Sequence, residues 1–175
     1  GQVREPLTVG EINPLPFTNQ LEVGDEIISI LGYKIGSAGK LSALLEHVKT
    51  NQEKSVSYEV KRNGEIIFVV GPPIDLPLVS GLVPLSAAVE ANLSAGDVII
   101  GINNQPINKF NQLKEAVEKS NGLATDLTVW REARTFQTTI IPKREDIPQP
   151  EGGFITKWRI GIIGSIYPFE LLTEP

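Results

Sequence analysis

A duplicated segment is the sequence feature that most constrains this chain. The run LEVGDEIISI at residues 21–30 aligns with LSAGDVIIGI at residues 93–102, and the two runs share the leucine, the Gly-Asp pair and the isoleucines. Similarity that recurs within one chain is the signature of repeated structural units. A chain of 175 residues is long enough for two small domains. We therefore predict two copies of one unit rather than a single large domain.

The similarity extends to a helix and a hairpin after each Gly-Asp segment. Apolar residues recur with helical spacing in both copies, at Leu41, Leu44, Leu45 and Val48 and again at Phe110, Leu113, Ala116 and Val117. An alternating run at residues 55–62 reaches Asn63-Gly64, a strong hairpin signal, and returns at residues 66–70. The second copy turns at Glu132-Ala133. Each copy therefore predicts several strands, one short helix and a hairpin.

These elements predict a mainly β fold with short helices, of the α+β class, in which each unit is a small, partly open β-barrel capped by a helix. The boundary is expected at Pro72-Pro73, because proline cannot donate to a sheet ladder. We predict a first domain at residues 1–75 and a second at residues 76–165, closed by a strand at residues 158–164. Residues 166–175 are interpreted as a C-terminal tail leading toward a membrane segment.

Composition opposes several classes of function. The net charge of −5 argues against a nucleic acid partner, which would require clustered Lys and Arg. Cysteine is absent, so a disulfide, a thiolate metal site and a cysteine nucleophile are all excluded. His47 is the single histidine and lies among apolar helix residues, where a packed side chain is its usual role. We predict no catalytic residue and no metal site in this chain.

The Gly24-Asp25 and Gly96-Asp97 pairs are interpreted as structural turns. Glycine adopts backbone angles that other residues resist, and aspartate accepts hydrogen bonds from nearby N–H groups before a strand begins. Neither pair has a second acid or a histidine at a fixed spacing. A catalytic or metal-binding aspartate is therefore not expected.

The second copy resembles a bacterial PDZ domain. The resemblance lies in three runs: VSGLVPLSAA at residues 79–88, ANLSAGDVI at residues 91–99 and INNQPI at residues 102–107. The family pattern is a strand, then Ser-Pro-Ala, then Ala-Gly-Leu-x-x-Gly-Asp and Ile-Asn-Gly. Ala87 replaces the family's proline, and Asn92 and Asn104 replace glycines, which is plausible because asparagine tolerates left-handed angles. The first copy keeps Gly24-Asp25 but lacks Ser-Pro-Ala.

Two such domains followed by an Arg-Ile-Gly-Ile strand most resemble the tandem PDZ region of bacterial site-2 proteases, the intramembrane zinc metalloproteases of the regulator of sigma-E protease family. The resemblance implies circularly permuted PDZ domains on the extracytoplasmic (periplasmic) face of the inner membrane. It implies a membrane-embedded parent whose zinc is bound by a His-Glu-x-x-His motif outside this chain. The PDZ pair itself would be non-catalytic and would filter or gate trimmed membrane substrates, such as an anti-sigma factor. The abrupt start at Pro6-Leu7 favours an excised piece of a longer protein.

A PDZ groove adds a peptide as an extra strand between a sheet edge and a helix. The peptide-binding strand of the second domain is assigned to Ile160, Gly161, Ile162 and Ile163, after a loose, proline-rich connection at residues 142–153. Leu113 and Val117 are predicted to face this strand, with Phe110 and Ala116 toward the core. A one-residue shift of the helix start would swap these roles. Apolar walls predict a ligand with an apolar C-terminal residue. The resemblance implies that the partners are C-terminal or extended peptide segments of membrane protein substrates.

The groove of the first domain is harder to assign. Leu44 and Val48 are its candidate groove residues on the helix. However, no Gly-Ile strand follows the first hairpin, and residues 71–76 are short and interrupted by proline. We predict that this groove is incomplete or does not bind a peptide.

Two other parent proteins remain open. HtrA-type serine proteases also carry two permuted PDZ modules, although they usually open each module with the Gly-Ile strand that comes last here. A stand-alone envelope scaffold is the third alternative. The flanking sequence distinguishes them by a zinc motif, by a Gly-Asn-Ser-Gly-Gly segment, or by neither.

Overall fold

The structure, a computed structural model, describes residues 1–36 and 41–175 and has a mainly β fold with three short helices in those residues. The strands form open sheets rather than closed barrels. The chain divides into two compact units, one made of residues 1–75 together with 166–175 and the other of residues 76–165. The first unit is therefore discontinuous in sequence, and the second unit is inserted between its two parts.

The first unit is built on a four-stranded antiparallel sheet. Its elements are β1 (Glu26–Ile30), β2 (Tyr33–Lys34), α1 (Leu41–Val48), β3 (Val56–Arg62) and β4 (Glu65–Gly71), with the sheet order β2-β1-β3-β4. Arg62 pairs with Glu65 across Asn63-Gly64, and both turn residues have a positive φ. The predicted hairpin is confirmed, because this turn requires positive φ at both central residues.

Residues 166–175 belong to the first unit and do not form a separate tail. The Gly10 N–H donates to the Glu170 carbonyl at 2.7 Å. The chain leaves the unit at Asp75 and returns at Ile166, where the Asp75 N–H donates to the Ile166 carbonyl at 2.7 Å. The local sequence carries no signal for this pairing, because the partner segment lies at the other end of the chain.

The second unit contains a second four-stranded sheet and two short two-stranded sheets. Its elements are β5 (Gly81–Leu82), α2 (Ala87–Glu90), β6 (Val98–Ile102), β7 (Gln105–Pro106), α3 (Phe110–Lys119), β8 (Thr125–Arg131), β9 (Arg134–Ile140), β10 (Lys143–Pro148), β11 (Phe154–Arg159) and β12 (Ile162–Ile163). The sheet orders are β7-β6-β8-β9, β10-β11 and β12-β5. The hairpin predicted at Glu132-Ala133 is confirmed, since Arg131 pairs with Arg134.

The proline-rich connection is an ordered ribbon rather than a loose loop. β10 and β11 pair antiparallel from Lys143 and Arg159 to Pro148 and Phe154. The predicted last strand is also divided, because Gly161 has a φ of +80° and an extended strand cannot continue through it. β11 therefore pairs with β10, whereas β12 pairs with β5.

Both Gly-Asp pairs are structural turns, as predicted. The two copies repeat one ion pair, Asp25 with Arg62 and Asp97 with Arg131, through contacts of 2.8 Å to both carboxylate oxygens. Each carboxylate also accepts an N–H three residues earlier in the chain. Both carboxylates are 1% exposed, so the pairs tie the turn to the hairpin inside the fold.

Candidate functional site

The backbone at Gly161 presents two N–H groups to one side of the strand. The Ala88 N–H donates to the Ile160 carbonyl and the Val83 N–H donates to the Gly161 carbonyl, both at 2.8 Å. In a trans peptide the C=O and the N–H point in opposite directions, and these peptides are trans. The Gly161 N–H therefore points away from Ala88, and the Ile162 N–H points away from Val83. Successive N–H groups around a left-handed residue form a concave site for an anion.

Position 161 requires glycine for two reasons. Its φ of +80° lies in the left-handed region, which is costly for residues with a Cβ. A Cβ at this position would also overlap the side chain of Ser86. Ser86 is the N-cap of α2, where its Oγ accepts the Val89 N–H at 3.4 Å. Ser86, the serine of the PDZ pattern, therefore packs directly against the backbone at Gly161.

The strand that follows Gly161 is paired along one edge by β5. Ile162 lies opposite Leu82 and Ile163 lies opposite Gly81. The Ser80 N–H donates to the Ile163 carbonyl at 2.8 Å, so the next N–H, that of Gly164, points to the opposite edge. The N–H groups of Ile162 and Gly164, two residues apart, therefore lie along this second edge. A strand edge with this spacing of N–H groups can pair with a further strand.

Helix α3 runs beside the segment from Trp158 to Gly164. Gly122, just after α3, lies so close to Trp158 that a Cβ on it would be 2.5 Å from the indole ring. At the other end, a Cβ on Gly164 would be 2.7 Å from the ring of Phe110, the first residue of α3. These two contacts join opposite ends of the helix to opposite ends of the segment. The helix and the segment are therefore antiparallel neighbours.

The structure places the two predicted helix residues in the core. Leu113 is 0% and Val117 is 3% exposed, whereas Phe110 and Ala116 are half-buried at the edge of the same core. Helical spacing identifies an apolar stripe but not which part of it meets the core. Leu113 and Val117 are thus more deeply buried than Phe110 and Ala116, which leaves Phe110 and Ala116 as the candidate residues of the helix wall.

The four predicted strand residues lie together beside α3. Ile160, Gly161 and Ile162 are half-buried, and both isoleucines pack against the second core. Ile163 is 51% exposed and pairs with β5. Together with Phe110 and Ala116 they form the candidate site.

The first unit lacks this backbone arrangement at the equivalent place. Matching hydrogen bonds relate the two units: Val9 N–H to Asp25 O and Val79 N–H to Asp97 O, then Gly10 N–H to Glu170 O and Ser80 N–H to Ile163 O. Two residues before Glu170 and Ile163 stand Pro168 and Gly161. Proline has no N–H and a φ near −65°, so Pro168 cannot present the donor that Gly161 presents.

The remaining candidates of the first unit are core residues. Leu44 and Val48 are each 1% exposed. Phe169, which takes the position of Ile162, is also buried, and its ring stacks on Tyr167 with 5.5 Å between the centroids. Sequence analysis missed the correspondence between Phe169 and Ile162, since only the hydrogen bonds relate the two segments.

The described part of the chain offers no site that fits zinc. It contains no group of three or more His, Cys, Asp or Glu side chains placed to hold a metal ion. His47 Nε2 lies 2.8 Å from the Leu31 carbonyl, and its ring lies 5.5 Å from that of Tyr33. None of the helices in residues 1–36 and 41–175 has the length and apolarity of a membrane span.

Comparison with known proteins matches part of the chain to a family. Residues 67–130, which run from β4 to β8, match the PDZ domain family. The zinc metalloprotease RasP of Geobacillus kaustophilus is 26% identical over 110 residues, which cover 60% of this chain and 24% of RasP. A protein of Enterococcus faecalis named "Probable protease eep" is 28% identical over 105 residues, which cover 59% of this chain and 23% of that protein. "Probable serine protease do-like" of Buchnera aphidicola is 41% identical over 64 residues, which cover 35% of this chain and 13% of that protein.

The matched lengths limit what these similarities mean for the whole protein. The chain spans about a quarter of the length of RasP and of the Enterococcus relative. The metalloprotease relatives align over the PDZ region. Residues 67–130 contain Gly96-Asp97, β6 and α3, and they end before the strand that contains Ile162. Part of the chain, residues 67–130, thus matches the PDZ domain family, and the chain is similar over the PDZ region to bacterial zinc metalloproteases.

Proposed function

We propose that the second unit binds the C-terminal end of a peptide by adding it as a strand to residues 160–163. The observation that carries the proposal is the pair of N–H groups at Gly161 and Ile162, which point away from Val83 and Ala88. A terminal carboxylate would accept both N–H groups. The ligand would then be antiparallel to β12 and would run from Gly164 toward Gly161, where its carboxylate ends. The PDZ match of residues 67–130 supports this mode of binding.

The surrounding side chains support an apolar last residue on the ligand. Ile160, Ile162, Phe110 and Ala116 are half-buried at the edge of the second core. A ligand side chain that enters between the strand and α3 would therefore meet apolar surface. A short strand and one small pocket suit a dissociation constant on the order of micromolar, about −8 kcal/mol.

A fluorescently labelled peptide ending in valine tests the proposal. Amidation of its carboxylate removes a charge-assisted acceptor, and we expect it to weaken binding at least about tenfold. Ile162→Asp places a negative charge beside the carboxylate and should weaken binding by a similar factor. Ile155→Asp, the same change at an exposed position of β11, is the matched control and should leave the affinity unchanged. Equal affinities for the acid and the amide would contradict carboxylate capture.

We also propose that the chain is the non-catalytic, circularly permuted tandem PDZ region of a site-2 intramembrane zinc metalloprotease. It would lie on the extracytoplasmic (periplasmic) face of the membrane and gate trimmed membrane substrates, such as an anti-sigma factor. Its similarity to RasP supports this parent. Zinc would be held by residues of the parent outside this chain, since the described residues offer no fitting site.

The gating proposal is tested in the parent protease. Residues 76–165 are removed, and Asp75 is joined to Ile166 by a short linker, because these two residues are hydrogen-bonded neighbours. We expect this variant to cleave a substrate that still carries its extracytoplasmic domain, which the intact protease should reject. Continued rejection of the untrimmed substrate would contradict gating by the second unit.

A serine protease parent is the alternative, and the relative from Buchnera aphidicola favours it, with 41% identity over 64 residues. The sequence that flanks this chain in its gene separates the candidates. A His-Glu-x-x-His motif within membrane segments supports the metalloprotease, and a Gly-Asn-Ser-Gly-Gly segment upstream supports the serine protease. The absence of both motifs would indicate a stand-alone envelope scaffold.

A further inference from the structure

Strand β4 exposes two large apolar side chains at the edge of the first sheet. Ile66 is 61% and Phe68 is 71% exposed, and β4 is the last strand in the order β2-β1-β3-β4. The duplication supplies a comparison, because the β3-β4 and β8-β9 hairpins match residue for residue from their turns. Ile66 corresponds to Thr135 and Phe68 to Gln137 in β9, the edge strand of the second sheet. The same edge is therefore polar in one unit and apolar in the other.

The backbone of β4 is also open at this edge. The Val70 carbonyl accepts the Gln20 N–H and the Val70 N–H donates to Gln20 Oε1, both at 2.8 Å and on the side away from β3. Backbone groups two residues apart in a strand point to the same edge, so those of Ile66 and Phe68 point there too. No other group in the described part of the chain hydrogen-bonds to them. An open edge that carries apolar side chains can pair with another strand.

Gln20 limits the length of the open edge. Because Gln20 occupies the edge at Val70, a partner strand can pair with β4 only as far as Val69. In an antiparallel pair of two β4 strands with the twofold axis at Ile67, the residue opposite Val70 is Gly64 of the other copy. Gly64 belongs to the hairpin turn and has no side chain. A second copy of β4 therefore ends where Gln20 blocks the edge, so the strand and the open edge match in length.

The same twofold axis pairs the apolar side chains. Ile66 of each copy lies opposite Phe68 of the other, and a β-branched residue opposite an aromatic residue is a favourable cross-strand pair. These side chains stand on the exposed face of the sheet, so pairing removes apolar surface from water. Glu59 and Lys61, their neighbours on β3, carry opposite charges. The face therefore has no net charge that would repel a second copy.

We propose that the open edge and exposed face of β4 form an interaction surface for a second copy of this chain, paired antiparallel about Ile67. The two four-stranded sheets then join into one continuous sheet. The inference uses the first unit alone and does not depend on peptide binding at residues 160–163. One short strand from each copy buries less area than a standard interface, so the dimer should be weak, with a dissociation constant on the order of 100 micromolar.

Sedimentation equilibrium of the whole chain tests the proposal. Between about 10 micromolar and about 1 millimolar, the average mass should rise from that of one chain toward that of two. Ile66→Thr combined with Phe68→Gln, which installs the residues of the second unit, should raise the dissociation constant at least about tenfold. Phe154→Gln combined with Ile155→Thr removes exposed apolar side chains from β11 and is the matched control, which should leave dimerisation unchanged. A chain that stays monomeric at the highest concentration, or an equal loss in both variants, would overturn the proposal.

A disulfide cross-link tests the position of the twofold axis. The chain has no cysteine, so Ile67→Cys places a single thiol where the two copies of this residue lie directly opposite each other, within reach of a disulfide. Phe136→Cys, at the corresponding half-buried position of β9, is the matched control. Under mild oxidation Ile67→Cys should form a covalent dimer at least about tenfold faster than Phe136→Cys. Equal rates would overturn strand pairing about Ile67.

Discussion

Gly161 lies directly against the side chain of Ser86, at a φ of +80°. Gly161→Ala would introduce a Cβ that overlaps Ser86 and would place alanine in a left-handed conformation, which costs about 1–2 kcal/mol. Either the backbone or α2 must move, and the N–H groups of Gly161 and Ile162 would no longer point toward a bound carboxylate. We expect peptide affinity to fall at least about tenfold, as measured by fluorescence anisotropy.

Gly152 is the matched control for this substitution. It has a φ of +96° in the turn between β10 and β11, and a Cβ there would meet no atom within 4 Å. Gly152→Ala should therefore cost a similar backbone strain without a change in peptide affinity. A comparable loss of affinity in both variants would show that general destabilisation, and not the Gly161 backbone, is responsible.

The chain should bind one C-terminal peptide, not two. Pro168 stands where the second unit has Gly161, so the first unit lacks the first N–H donor of the carboxylate site. Isothermal titration calorimetry of the whole chain should give a stoichiometry near one. Ile162→Asp should weaken this single binding event at least about tenfold without revealing a second site. A stoichiometry of two, or carboxylate-dependent binding whose affinity Ile162→Asp leaves unchanged, would contradict the prediction.

The Arg131–Asp97 pair should stabilise the second unit. Arg131→Met leaves the buried Asp97 carboxylate without its cation, and we expect the free energy of unfolding to fall by about 3 kcal/mol. This value is at the lower end for a buried ion pair because the Arg131 side chain is 36% exposed. Both tryptophans, Trp130 and Trp158, belong to this unit, so their fluorescence during urea denaturation reports its stability. Arg159→Met, which removes an exposed pair with Glu145, should change little. Equal losses in the two variants would contradict this role.

The first unit should lose stability in acid through Asp25. Burial raises the pKa of the Asp25 carboxyl, but hydrogen bonds from Arg62 and from the Glu22 N–H outweigh burial, so its pKa lies below the usual value. The folded state therefore binds fewer protons than the unfolded state below about pH 4. This contribution is complete above the unfolded pKa and is lost as the pH falls through the lowered folded pKa.

Tyrosine signals measure this acid effect, since Tyr33, Tyr58 and Tyr167 all belong to the first unit. Near-ultraviolet circular dichroism during urea denaturation at pH 7, 4 and 3 should show a smaller pH dependence in Asp25→Asn than in the wild type. The variant should also be less stable at pH 7, because it loses the ion pair with Arg62. The same pH dependence in both proteins would exclude Asp25 as its source.

Local signals in the sequence predicted most of the elements. Asn63-Gly64 and Glu132-Ala133 are both hairpin turns, and the Gly-Asp pairs are turns with buried aspartates. These features depend on residues that are close in sequence, where backbone preference and alternation decide the outcome. The PDZ resemblance of the second copy had the same local basis and is matched by the family comparison.

The features that sequence missed depend on pairing or orientation in space. Nothing local indicated that the segment around Phe169 pairs with the N-terminal segment, or that Lys143–Pro148 pairs with β11. Helical periodicity placed Leu113 and Val117 on one apolar stripe but did not decide that they meet the core rather than the strand. The candidate site consequently kept its strand but exchanged the residues of its helix wall.

The interrupted course of the first unit has a practical consequence for genetics. A single uninterrupted stretch of codons, those for residues 76–165, specifies all of the second unit, whereas the first unit is specified by two stretches that flank it. Deletion of residues 166–175 would leave the second unit whole and remove a segment of the first unit, although residues 1–75 lie on the other side of the second unit in the sequence. A lesion that follows the second unit in the sequence should therefore damage the first unit.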